Sequence, residues 1–222
     1  MNPFPPPLGV IEAIHAASKD TLVSKGRGVL AMVPADDCPG KQPSEKKLKF
    51  TREPIAFNDD DLEEMIQPHD DTLVVTTQVN GFIVNRVMID RESSAKVMYP
   101  DLFKGLDLKN EDLSKYDTPL VGFNGQMVIP EGQILLPMNM EGKEVMVTFI
   151  VVASFSPYTA ILRRPWIHAM GVVSSTLHVK VKFCTELGIA IVRGNQQVAR
   201  QCLVATVNQE IKQKEPAKKV PL

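Results

Sequence analysis

The chain has 222 residues, 44% of them hydrophobic, and a net charge of −1. That length and apolar content suit one or two domains with a real core, and the balanced charge argues against bulk attraction to nucleic acid or to an anionic membrane. The three cysteines, Cys38, Cys184 and Cys202, are widely spaced and form no CxxC or Cys/His cluster, which argues against a disulfide framework or a structural zinc and fits a reducing, cytoplasmic compartment. The opening residues Met1–Pro7 lack the basic and apolar regions of a secretory signal. No apolar run is long enough to cross a bilayer.

Residues 1–53 read as a disordered or weakly structured linker. Eight of the 17 prolines fall at or before Pro54, and no apolar face repeats, so little surface is available to offset the entropy of ordering the segment. Within it, Leu8 to Ala17 suits one short helix and Gly28 to Val33 one short strand. The cluster Lys46-Lys47-Leu48-Lys49 and the tail from Lys212 to Lys219 have glutamate in or beside them and read as solvated linker. Asn58 to Glu64 is an acidic bridge into the folded part.

From Thr72 the composition changes. Thr72 to Val79 and Phe82 to Ile89 are rich in β-branched residues and are separated by Asn80-Gly81. Such a pair predicts a hairpin, because a type I′ turn needs positive φ at both central residues. The same signal recurs at Asn124-Gly125 and at Glu141-Gly142. Short strands with frequent turns predict an all-β closed barrel or sandwich. Helical periodicity is brief, at Ala95–Leu106 and at Pro165–Met170, where Pro165 suits a first helical turn. Leu177 to Phe183 alternates as a half-buried strand does and forms a hairpin with Gly188 to Val192. Gln197 to Val207 fits either strand or helix, and residues 208–222 read as a disordered tail.

The chemistry concentrates in one turn, Val87-Met88-Ile89-Asp90-Arg91-Glu92-Ser93-Ser94-Ala95. An apolar strand delivers Asp90 into a polar turn, and Ser93, Ser94 and Ala95 set small side chains beside it. An aspartate ending a strand commonly does no more than start a turn, so this residue gains weight from its context. Downstream, Ala160-Ile161-Leu162-Arg163-Arg164-Pro165-Trp166 places an apolar pair ahead of two arginines and a short helix. Between the two lies a glycine-containing hairpin with Gly122, Phe123, Asn124 and Gly125 at its tip, flexible enough to bend over a cleft. His69 and His168 have no partner spacing that points to catalysis.

The first stretch resembles the active-site turn of retropepsin-type aspartic proteases, apolar-apolar-Asp-Thr/Ser-Gly-Ser/Ala, and the second resembles their apolar-Ile-Leu-Gly-Arg signature. The resemblance implies a retropepsin-like closed barrel with one or two short helices, Asp90 as the catalytic residue, a flap at Gly122–Gly125, and Ile161, Leu162, Arg163 and Arg164 as support beneath the catalytic loop. Over most of residues 8 to 207 the chain also resembles the protease region of Gag-Pol polyproteins from plant gypsy-class long-terminal-repeat retrotransposons. The stretches that carry this are Gly9–His15, Gly26–Leu30, Ile66–Val75, Asp117–Phe123, Arg164–Ala169, Ser174–Phe183, Arg193–Gln196 and Val198–Cys202. No zinc knuckle and no reverse-transcriptase motif accompanies them, which implies a polyprotein fragment or a derived gene with a protease domain at 54–207. The family uses no cofactor and no metal.

Family chemistry needs two aspartates sharing one proton, so that one serves as base and the other as acid. This chain has one matching aspartate, and the resemblance therefore implies a homodimer acting on a peptide or polyprotein, with no membrane or direct nucleic-acid partner. The sequence departs from the family at three places. Arg91 stands where Thr or Ser bonds across the dimer axis, Glu92 where Gly leaves room beside the carboxylate, and Arg163 where Gly lies beneath the loop. These changes favour an impaired peptidase. A working endopeptidase and a non-catalytic peptide-binding or dimerisation module are the alternatives.

Overall fold

A computed structural model of the chain describes residues 6–12, 30–31, 54–63, 65–92, 95–122 and 127–214. In chain order the strands are β1 (Gly9–Ile11), β2 (Leu30–Ala31), β3 (Val74–Val79), β4 (Phe82–Ile89) and β5 (Val97–Met98). After helix α1 (Pro100–Gly105) come β6 (Leu120–Gly122), β7 (Met127–Val128), β8 (Gly132–Met140), β9 (Lys143–Val151) and β10 (Ala160–Leu162). Helix α2 (Arg164–Met170) precedes β11 (Val173–Ser175), β12 (Lys180–Thr185) and β13 (Gly188–Arg193), and α3 (Gln196–Lys214) ends the described chain.

Six strands close on themselves in the order β4-β10-β5-β9-β8-β3, with β3 pairing back to β4. This is the all-β closed barrel with short helices that the sequence predicts. Two of its turns form for the expected reason. Asn80 and Gly81 have φ of 49° and 85°, and Glu141 and Gly142 have φ of 48° and 79°, so both hairpins turn through two residues of positive φ as a type I′ turn requires. The tip of the third expected hairpin, Asn124-Gly125, lies outside the described residues, but its flanks β6 and β7 pair antiparallel. Val84, Phe149, Leu162, Trp166 and Met170 are among the fully enclosed side chains of the core. Helix α2 starts on Arg164 with Pro165 in its first turn and ends at Gly171 in the left-handed conformation, the usual way to stop a helix without a Cβ penalty.

Beside the barrel, β11, β12 and β13 form a three-stranded antiparallel sheet, and β2, β6 and β7 form another. The alternation at Leu177–Phe183 predicted a strand with one wet face. In fact β12 begins only at Lys180, and Lys180, Val181, Lys182 and Phe183 are all buried. The lysine face is covered because the acidic segment before the barrel folds over it. Lys182 Nζ sits 2.7 Å from Asp61 Oδ2 and donates to the Ala56 carbonyl at 2.8 Å, while Lys180 Nζ lies 3.5 Å from Asp61 Oδ1.

Three further expectations change. Gly9–Ile11 is a strand, not part of a helix, because it pairs in parallel with Phe82–Val84 on the free edge of β4; residues 13–29 lie outside the described part. Gln197–Val207 is helical, with Ala199 and Cys202 buried. That helix runs to Lys214, past Asn208, where the disordered tail was expected to begin. Its first turns are held from outside: the Arg200 guanidinium donates to both oxygens of Asp71, with Nε at 3.0 and 3.2 Å and Nη2 at 2.9 Å, and Gln196 donates to the same carboxylate at 2.8 Å.

Candidate active site

Two strands that are distant in sequence bring the candidate residues together. β10 runs parallel to β4 with Ile161 opposite Met88 and Leu162 opposite Ile89. The ladder continues one step beyond the strand, where the Asp90 N–H donates to the Leu162 carbonyl at 2.9 Å. The start of the turn that carries Asp90 is thereby tied to the end of β10, beside Ile161 and Leu162, both buried.

The Asp90 carboxylate is engaged at both oxygens. Oδ1 accepts the Glu92 backbone N–H at 2.9 Å. Oδ2 lies 3.3 Å from Nε of Arg163, an ion pair not aligned as a hydrogen bond. The Arg163 side chain is 1% exposed and that of Asp90 14%. Burial pulls the Arg163 guanidinium below its usual range, while the negative charge of Asp90 and the neighbouring Tyr99 oppose that shift. An arginine stays charged at neutral pH even so. Tyr99 is itself buried, and burial raises its phenol, against a hydrogen bond with Ser156 and the nearby Arg163 charge. Asp90, Arg163, Tyr99 and Ser156 thus form one polar group beneath the turn. Tyr99 and Ser156 carried no sequence signal.

The remaining candidates are spread more widely. Arg91 and Glu92 are exposed, and Arg91 Nη1 reaches the Ser174 carbonyl at 3.4 Å. The charged neighbour of Asp90 is Arg163, not the adjacent Arg91. Arg164 is exposed at the first position of α2, pointing its charge away from the core. Ala95 is buried and packs with Val97, Tyr99, Leu120, Ile150 and Ile161. Ser93 and Ser94 lie outside the described residues, as do Phe123, Asn124 and Gly125 of the expected flap; Gly122 closes β6. Among the described residues no group of three or more His, Cys, Asp or Glu side chains is placed to hold a metal, and no helix is long and apolar enough to cross a membrane.

The closed six-stranded barrel therefore carries Asp90 at the end of β4, beside the parallel strand β10. No protein-family profile and no curated protein matches the sequence. Among solved structures, the chain is similar to the retroviral protease-like domain of Ddi1 from Leishmania major, at 14% identity and a TM-score of 0.46, over 57% of this chain and 96% of that one. It is also similar to the EIAV protease complexed with the inhibitor HBY-793, at 16% identity and a TM-score of 0.40, over 50% of this chain and 98% of that one.

Proposed function

We propose that this chain carries a retropepsin-like domain of the kind found in plant gypsy-class retrotransposon Gag-Pol polyproteins, with its aspartic endopeptidase chemistry impaired at the active-site turn. The domain spans residues 54–207, with Gly9–Ile11 contributed from the upstream linker. Its ancestral substrate is a peptide or its own polyprotein, its assembly a homodimer, and its compartment the cytoplasm.

The observation that carries this reading is the contact between Arg163 and Asp90. A proton-sharing pair of aspartates needs each carboxylate to offer an oxygen to its partner and to water. Here one oxygen of Asp90 faces a buried guanidinium and the other is held by the Glu92 N–H. At a two-fold axis, Arg91 and Glu92 from both copies add four further charges to a narrow site, an arrangement that is unfavourable when desolvated. An attacking water would therefore meet carboxylates whose oxygens are already engaged by Arg163 and the Glu92 N–H.

The test is cleavage of casein and of a self-derived polyprotein substrate by the full chain at mildly acidic pH, beside Asp90→Asn. No cleavage above the Asp90→Asn background is expected. Cleavage abolished by Asp90→Asn would overturn the impaired reading and establish Asp90 as a working catalyst.

A further inference from the structure

At the opposite end of β4 from Asp90, a short strand fills a slot built for a particular peptide. Residues 8–12 lie along the β4 edge in parallel, with Gly9 opposite Phe82, Val10 opposite Ile83 and Ile11 opposite Val84. The Leu8 N–H donates to the Gly81 carbonyl at 2.7 Å, and the Asn85 side chain donates from Nδ2 to Glu12 Oε1 at 2.9 Å. Asn85 is itself oriented by Thr76, whose hydroxyl donates to its Oδ1 at 2.7 Å.

Three close approaches define the slot's shape. A Cβ on Gly9 would meet the Phe82 ring at 3.3 Å, a Cβ on Gly81 would meet the Leu8 side chain at 2.9 Å, and a Cβ on Gly105 would meet Cγ2 of Ile11 at 2.9 Å. Glycine in α1 therefore opens a notch that admits Ile11, the one buried side chain of the segment at 8% exposure, while Leu8 and Val10 remain 72% and 59% exposed. The rest of β4's edge is taken by β10, which pairs from Val87 onward, and by Thr159 just before it, which donates to the Arg86 and Asn85 carbonyls.

The geometry points to the β4 edge at Gly81–Asn85, with the Gly105 notch, as a binding site for an extended peptide of pattern glycine, any residue, isoleucine, glutamate, which this chain fills with its own residues 9–12. This site is separate from the Asp90 turn and does not rest on the proposed peptidase ancestry. The mode is strand addition: main-chain hydrogen bonds to a sheet edge supply affinity, and alternate side-chain pockets supply specificity. The cis segment is held by three paired residues, the Leu8 N–H bond to Gly81, one buried side chain and one side-chain hydrogen bond. Elements with so few buried contacts open at a fraction of the global unfolding free energy. A tethered occupant competes with a free one at an effective concentration set by the intervening chain. The same segment of a second copy enters when the cis strand leaves.

The site is tested with a fluorescein-labelled synthetic peptide of residues 6–12 added to the full chain carrying Ile11→Asp, which removes the cis occupant's anchor. Saturable anisotropy is expected, weaker by about tenfold or more for the natural chain, whose own strand competes. Binding should be lost for the peptide bearing the same Ile11→Asp change. Adding Gly105→Ala to the receptor should weaken it, because the notch narrows without harm to helix α1. No saturable binding to a cooperatively melting Ile11→Asp chain would overturn the proposal, as would equal binding of the Asp-bearing peptide. An Ile11→Asp chain that no longer folds would also overturn it, because a slot whose occupant leaves must survive empty.

Discussion

Asp61 and Asp90 are both acids set against buried cations, yet their surroundings are opposite in character. The Asp61 carboxylate is hydrogen-bonded by Lys182 Nζ at 2.7 Å and the Asn58 N–H at 3.0 Å, with Lys180 Nζ 3.5 Å away as an ion pair and donating to the Asp61 carbonyl, and with Lys182 also bonded to Ala56 and lying 4.7 Å over the Phe57 ring. Asp90 meets Arg163 at 3.3 Å without hydrogen-bond alignment, and Arg163 is the more deeply buried of the two. The first arrangement fastens residues 54–63 across the three-stranded sheet. The second places a buried cation against the acid of the candidate turn. A buried ion pair stabilises only when alignment and further hydrogen bonds offset desolvation, so one contact type closes a fold in one place and, on the proposed reading, silences a turn in another.

The largest effect that would break this contrast lies at Asp61. Asp61→Asn leaves two buried lysines without a countercharge and should destabilise the chain by about 3–5 kcal/mol, read from denaturant unfolding. A loss below about 1 kcal/mol would make the cluster incidental.

Acid titration sharpens the same point. The hydrogen bond from Lys182 holds the Asp61 carboxyl at about 2, against desolvation, whereas an unfolded aspartate titrates near 3.9. Its folded value is depressed, so its contribution is fully present above about pH 4 and fades as pH falls towards 2. Asp71 is lowered in the same sense, chiefly by its hydrogen bond from Arg200. The midpoint of acid unfolding should therefore follow these groups, and the Asp61→Asn chain should show a shallower decline between pH 4 and pH 2.

Arg163→Met should be milder than Asp61→Asn. It removes a buried cation and keeps most of its volume, while Asp90 retains the Glu92 N–H and some solvent. The expected change is within about 1 kcal/mol in either direction. A large loss would mean that the Asp90–Arg163 pair is structural after all. The smallest effect belongs to Lys115 and Asp117, which sit 2.7 Å apart with side chains 85% and 69% exposed. Lys115→Ala should shift stability by less than about 0.5 kcal/mol, because solvent screens the pair.

The barrel was legible in the sequence because its signals are local. Asn80-Gly81 and Glu141-Gly142 specify turns by backbone conformation alone, and β-branched runs flank them. The pairing of β4 with β10 was legible only as two separated motifs; the register that sets Leu162 opposite Ile89 and next to Asp90 is a tertiary fact. What stayed hidden depends on long-range coverage. Lys180 and Lys182 alternate with apolar residues as solvent-facing side chains do, and only the fold brings Asp61 over them. Arg163 was recognised as out of place, but nothing local shows that its guanidinium, and not that of Arg91, turns towards Asp90. Gly9–Ile11 has too few residues for a periodicity, so its place on the β4 edge could not be read in advance.

The central claim is that Arg163 is a principal block on Asp90. The most direct measurement compares peptide cleavage by the Arg91→Thr/Glu92→Gly chain with cleavage by the same chain carrying Arg163→Gly as well, each with and without Asp90→Asn. The account predicts activity only in the triple variant, abolished by Asp90→Asn. Equal, Asp90-dependent cleavage by the double variant, with Arg163 still in place, would contradict it.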